Sequence, residues 1–140
     1  MTDSVLGVKV GDTAEFAKAV SEQDIVAFAE VTGDKQPLHL DDSYAAKTRF
    51  KRRLAHGMLS AGFISAALGT KLTSNATVIY LSQSLRFLRP VFPGDTITAR
   101  LEVTAIDPEK RFVTCKTECL NQDGQTVLSG EAQVLLDPLQ

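Results

Sequence analysis

The chain has 140 residues, 44% of them hydrophobic and 23% charged, with 15 basic against 17 acidic side chains. At this size folding buries roughly 68% of the unfolded surface, enough for one core, and a net charge of −2 excludes general nucleic-acid binding through many phosphate contacts. No apolar run reaches the ~20 residues of a membrane span and no signal-peptide core is apparent, so one soluble, cytoplasmic domain over residues 1–140 is expected, although a removed organelle-targeting peptide would leave no trace.

In chain order, residues 15–20 read as a short edge strand. Ser21-Glu22-Gln23-Asp24 then opens a helix in the manner of a capping box. Ile25, Phe28 and Ala29 follow at helical spacing, and Gly33 supplies the stop. A Pro-interrupted loop, residues 32–41, comes next. Residues 55–72 form a second helix, with Met58, Ala61, Gly62, Ser65, Leu68 and Gly69 on one face. Leu59, Phe63, Ile64 and Ala67 continue the apolar surface around it. A helix apolar on nearly every side is buried on most sides, and its small residues would admit close approach by a sheet.

The remainder is strand. Ile97, Ala99, Leu101, Val103 and Ala105 alternate with Thr98, Arg100, Glu102 and Thr104, the pattern of a half-buried strand. Residues 78–88, 112–120 and 126–136 repeat it less strictly. Pro93-Gly94-Asp95, Asp107-Pro108-Glu109 and Asn121-Gln122-Asp123-Gly124 mark the turns between them. These short connections predict a four-stranded antiparallel meander. Cys115 and Cys119, the two cysteines, then lie on one strand ~13 Å apart, beyond the ~7 Å limit for bridging. They are expected to be reduced and partly buried, and too few to hold a metal. The fold class is therefore α+β: an antiparallel sheet wrapped around one long buried helix, the hotdog architecture. Its exposed sheet edge favours pairing with a second copy.

Two features could carry chemistry. The loop places Asp34 five residues before His39, and His56-Gly57 opens the buried helix. A converging carboxylate and imidazole can hold a water and move its protons. First-turn amides can bind an oxygen that gains negative charge, and Gly57 leaves room for close approach. Taken singly, each residue also has a plain reading: Asp34 in a turn, His39 as a hydrogen-bonded structural histidine, His56 as a cap or packing residue, and Ser65 as a close-packing site. No G-x-S-x-G elbow and no phosphate-cradling glycine loop is present.

Residues 33–41 (Gly-Asp-Lys-Gln-Pro-Leu-His-Leu-Asp), 55–59 (Ala-His-Gly-Met-Leu), 81–87 (Leu-Ser-Gln-Ser-Leu-Arg-Phe) and 90–95 (Pro-Val-Phe-Pro-Gly-Asp) together resemble the MaoC-like hotdog family. Within it the chain is most similar to the (R)-specific enoyl-CoA hydratases of the hydratase-2 type, over about residues 8–136. It departs from that pattern once, with Gln36 where Asn is usual. The resemblance implies that Asp34 and His39 are the catalytic pair, that the Gly57 amide holds the thioester carbonyl, and that Ser65 supports Asp34. It implies reversible hydration of a trans-2-enoyl-CoA, with no metal or redox cofactor and with coenzyme A as part of the substrate.

Residues 47–53 carry five basic side chains in seven. The plain reading is a solvated loop; the functional one is that Arg49, Lys51, Arg52 and Arg53 attract the phosphates of coenzyme A or an acidic acyl carrier protein. Competing functions are a dehydratase on acyl carrier protein, a non-catalytic acyl-thioester-binding hotdog protein and, more weakly, a thioesterase. Leu68 and Leu72 are candidates for the far end of an acyl tunnel. So short a chain enclosing a CoA thioester is expected to be half of a homodimer.

Overall fold

The computed structural model describes residues 4–140; the first three residues of the N-terminal stretch read above lie outside it. A small ribbon of β1 (Ser4–Val5) and β2 (Val8–Lys9) precedes β3 (Thr13–Ala19), the expected edge strand. Helix α1 (Glu22–Thr32) starts on the full capping box: Asp24 N–H donates to Ser21 Oγ at 3.0 Å, and Ser21 N–H to Asp24 Oδ2 at 3.0 Å. It ends at Gly33, whose φ of 82° is open to glycine without strain. Two single-turn helices follow, α2 (Pro37–Leu40) and α3 (Asp42–Ala45), and then the long α4 (Gly57–Lys71). The strands β4 (Ala76–Gln83), β5 (Arg86–Phe87), β6 (Thr96–Asp107), β7 (Phe112–Leu120) and β8 (Thr126–Pro138) complete the chain.

The main sheet is antiparallel, in the order β3-β6-β7-β8-β4, with β5 also paired to β8. The meander is thus three-stranded, β6-β7-β8, rather than four-stranded. β4 and β5 run along the far edge of β8, and the eight residues between β5 and β6 cross the sheet end instead of forming a hairpin. Three strand spacings are roughly 14 Å, well within the ~26 Å that eight extended residues reach. The expected strand over 78–88 is also split. Ser84 turns its carbonyl onto Gly130, where a Cβ would lie only 1.8 Å from that oxygen. Ser84 N–H bonds Glu131 O at 2.9 Å, and Glu131 N–H returns a bond to Ser84 Oγ at 3.0 Å.

The inner sheet face is the one the alternation marks: Ile97, Ala99, Leu101 and Val103 are buried. The pattern fails at Ala105, which is exposed while Ile106 is buried, because a bulge between Val103 and Ala105 adds a residue and inverts the faces beyond it. Against this face lies α4, which packs chiefly on β3 and β6 and buries Ser60, Ala61, Phe63, Ile64, Ala67 and Leu68. Phe63 meets Phe16 of β3 with ring centroids 6.1 Å apart.

The small-residue face behaves otherwise than expected. Gly62, Ser65 and Gly69 are exposed, and a Cβ added at Gly62 or Gly69 meets nothing within 4 Å. The large residues grip the sheet, and Gly62 and Ser65 line an open cleft of about 400 Å³ beside Tyr80, Leu81 and Gln83 of β4.

Ile64 is 1% exposed at the centre of this packing. Ile64→Ala is expected to lower the unfolding free energy by about 2–5 kcal/mol, read from chemical denaturation.

Candidate active site

The loop after α1 is shaped by short-range bonds. Thr32 Oγ1 accepts from Asp34 N–H at 3.2 Å, and Lys35 N–H reaches back to Gly33 O at 3.0 Å. Pro37, the residue expected to interrupt the loop, instead begins α2: its fixed φ suits the first helical position, where no N–H is needed. That single turn carries His39 inward, so that the imidazole is buried while Asp34 stays exposed. Gln36 makes no side-chain cap; its backbone N–H faces Asp34 Oδ1 at 3.4 Å. The departure from Asn therefore leaves the loop closed through the main chain.

The structure brings Asp34, His39 and His56 together. One ligand-type atom of each lies within 4.8 Å of the other two. His39 Nδ1 is 2.7 Å from Leu54 O and His56 Nε2 is 2.8 Å from Asp34 O. A carbonyl oxygen only accepts, so His39 presents a proton on Nδ1 to Leu54 O and His56 presents one on Nε2 to Asp34 O. The two rings stack at 3.9 Å with planes 26° apart. Planes so nearly parallel do not meet within the ~2 Å of a metal–nitrogen bond, so the imidazoles do not converge on one ion. The trio suits proton handling better than metal binding. His56 occupies the N-cap position of α4 but makes no side-chain cap bond; of the two plain readings, cap or packing residue, the structure shows the packing one, with the ring buried against His39 and Phe28.

Beside these residues, the first-turn amides of α4 lie ahead of its hydrogen-bond ladder. Gly57 faces a cavity of about 430 Å³ whose wall includes Arg49, Leu54, Phe87, Arg89 and Leu128. Asp34 and His39 do not line it; the cavity meets the dyad along Leu54–Gly57. A Cβ on Gly57 would fall 2.5 Å from Phe87 Cε1, so a side chain here would have to displace that ring.

The basic segment divides. Arg53 is occupied within the fold: its Nε donates to Asp42 Oδ1 at 2.6 Å and its guanidinium also pairs with Glu22, leaving the side chain 15% exposed. Two carboxylates already neutralise it, so Arg53 is a structural tie and not a phosphate ligand. Arg52 lies over the Phe92 ring at 3.7 Å, and Lys51 is exposed in a left-handed turn at φ 67°. Arg49 alone of the four lines the cavity, together with Arg89, which sequence reasoning missed.

Ser65 is also displaced from its expected role. No hydrogen bond joins it to Asp34 among the described residues; it sits two turns along α4, ~12 Å from Gly57, in the second cleft. Leu68 is a core residue, 1% exposed, and Leu72 packs against the core. Cys115 and Cys119 are free and wholly buried rather than partly so, and burial pushes both thiols up to about 12.

An antiparallel sheet curled about a single long helix, with its polar residues gathered at that helix's N-terminus, defines a hotdog-fold protein. The sequence profile described as MaoC like domain matches residues 7–122, and the chain belongs to that family. It is 50% identical over 129 residues to an (R)-specific enoyl-CoA hydratase of Rhodospirillum rubrum, covering 92% of this chain and 88% of the relative. It is 44% identical over 127 residues to a 3-hydroxybutyryl-CoA dehydratase of Methylorubrum extorquens, covering 91% and 80%. Among solved structures, an (R)-hydratase from A. caviae involved in PHA biosynthesis superposes with a TM-score of 0.88 at 41% identity, over 94% of this chain and 99% of that one.

Two outcomes follow from the geometry. Arg53→Ala is expected to lower stability by about 1 kcal/mol without changing KM for a CoA thioester, whereas Arg49→Ala and Arg89→Ala raise KM; denaturation and steady-state kinetics separate them. Thiol reagents are expected to leave Cys115 and Cys119 unmodified at pH 8 in the native state and to label both once the chain unfolds.

Proposed function

We propose that the chain is an (R)-specific enoyl-CoA hydratase. It adds water across the double bond of a trans-2-enoyl-CoA to form the (R)-3-hydroxyacyl-CoA, and it catalyses the reverse dehydration. The observation that carries this reading is the convergence of Asp34 and His39 at the N-terminus of α4, next to the Gly57 amide. The R hand comes from the relatives' chemistry, and the family resemblance gives the two side chains their roles.

The thioester carbonyl lies against Gly57 N–H, which draws electron density from the conjugated double bond and makes C3 electrophilic. Asp34 and His39 hold a water at C3. As the C3–O bond forms, His39 Nε2, the ring's acceptor, takes one water proton, and the π electrons move to the carbonyl oxygen as an enolate. The pair then delivers a proton to C2 and the carbonyl reforms. One hydrogen of water ends on C2 and the other stays on the new hydroxyl. The reaction is redox-neutral and the thioester supplies its own activation, so no cofactor is required beyond the coenzyme A that the substrate carries.

The unit is a single hotdog domain that works as a homodimer. Two features support the dimer: the open small-residue face of α4, and the neighbouring edge strand β4, where Ile79, Tyr80 and Leu81 are 39%, 38% and 44% exposed. An apolar sheet edge left uncovered is unfavourable, and a second copy covers it. No helix among the described residues is long and apolar enough to cross a membrane. The protein acts in the cytoplasm on acyl-CoA, linking fatty-acid β-oxidation to (R)-3-hydroxyacyl-CoA supply.

Asp34→Asn and His39→Ala are each expected to lower kcat/KM for crotonyl-CoA by roughly 10²–10⁴-fold while the chain stays folded. Retention of near-wild-type rate by either variant overturns the assignment. Parallel assays on crotonyl-CoA and its acyl-carrier-protein equivalent decide the carrier: preference for the protein-bound substrate makes the chain a dehydratase of fatty-acid synthesis. Tight thioester binding without turnover by the wild type makes it a binding protein.

A further inference from the structure

We infer that His56 is a positioning residue for this reaction, setting both members of the dyad from the segment that enters α4. The inference rests on the reading of Asp34 and His39 as the reacting pair.

His56 is 2% exposed and touches both partners by different means. From its edge, Nε2–H donates to the Asp34 carbonyl at 2.8 Å, tying down the main chain that carries the carboxylate. From its face it stacks on His39 at 3.9 Å, and the Phe28 ring packs against it at a tilt of 49° with centroids 4.7 Å apart. Two rings therefore restrict the orientation of the imidazole. Its remaining nitrogen, Nδ1, is buried with no hydrogen-bond partner among the described residues. Filling space does not account for that atom, because an apolar ring would pack in the same slot and leave no nitrogen unpaired. The imidazole is present for its Nε2–H.

The neighbours of His56 show what that bond belongs to. Leu54 O, two residues earlier, accepts from His39 Nδ1–H, and Ala55 N–H between them donates to Val91 O at 2.7 Å. Three consecutive residues thus fix the His39 ring, the crossing loop before β6 and the Asp34 main chain. The other bonds at Asp34 are local and longer: its N–H to Thr32 Oγ1 at 3.2 Å, and Gln36 N–H to its Oδ1 at 3.4 Å. His56 supplies the tie that reaches across the fold. Displacing a reacting group by about 1 Å can cost roughly a hundredfold in rate, so loss of this tie is read in kcat.

Two amide substitutions isolate the bond. The amide nitrogen of Gln reaches the place of imidazole Nε2, while that of Asn stops at the place of Nδ1. His56→Gln is expected to keep kcat on crotonyl-CoA within about tenfold of wild type. His56→Asn is expected to lose about a hundredfold in kcat with KM within about twofold, since His56 does not line the cavity that Gly57 faces. A folded His56→Asn with wild-type kcat overturns the inference, as does a folded His56→Gln no better than the Asn variant. Nitrogen-15 NMR of the wild-type imidazoles tests it without any variant. The proton is expected on Nε2 of His56 and Nδ1 of His39, and a proton on Nδ1 of His56 overturns the inference even where His56→Asn fails to fold. Wild-type protein inactive on every enoyl thioester refutes the hydratase reading instead, and the NMR result then decides by itself whether the clasp exists.

Discussion

Helix α4 has almost no polar face, and nearly everything else in the molecule answers to that. Six of its residues are buried against the sheet, so the sheet has to curl to follow them, and the broad side chains Phe63, Ile64 and Leu68 set the depth of the curl. An apolar helix cannot end abruptly in its own core, because its first amides need partners or open space. The N-terminus of α4 therefore emerges where the sheet stops covering it, at Gly57. At that exit backbone N–H groups, an apolar cavity and the loop after α1 meet. Packing and chemistry share a location for this reason.

What surrounds the exit is built from main-chain bonds more than from side-chain pairs. Leu54 O orients His39, Ala55 N–H anchors to Val91 O, and His56 reaches the Asp34 carbonyl. Such bonds depend on the path of the backbone, which the sheet holds, and only weakly on the identity of exposed neighbours. Gln36 fits the same logic in that its side chain makes no cap bond. The basic run beside the site shows the converse. Five like charges in sequence divide once folded: Arg53 is locked between carboxylates, Arg52 lies over Phe92, Lys47 and Lys51 are exposed, and only Arg49 turns to the cavity.

The alternation in β6, the capping box at Ser21 and the apolar circuit of α4 were each legible because they are local: neighbours within a turn or a pleat decide them. The sheet order was not, since β4 could pair with β6 or β8 at similar local cost and only the eight-residue crossing settled it. The bulge after Val103 escaped notice for the same reason, being a property of two strands together.

For the site, the residue types at 34, 39 and 57 and their resemblance to a known family carried the chemistry before any coordinates. Composition and periodicity likewise determined a buried helix with an antiparallel sheet around it. Tertiary structure alone decided that His56 faces the dyad, that Ser65 and the small-residue face open on a separate cleft, that Arg53 is spent on the fold, and that Arg89 joins Arg49 at the cavity. Those outcomes turn on contacts between residues 11 or more apart in the chain, whose energies come from burial and geometry that no short window of sequence contains.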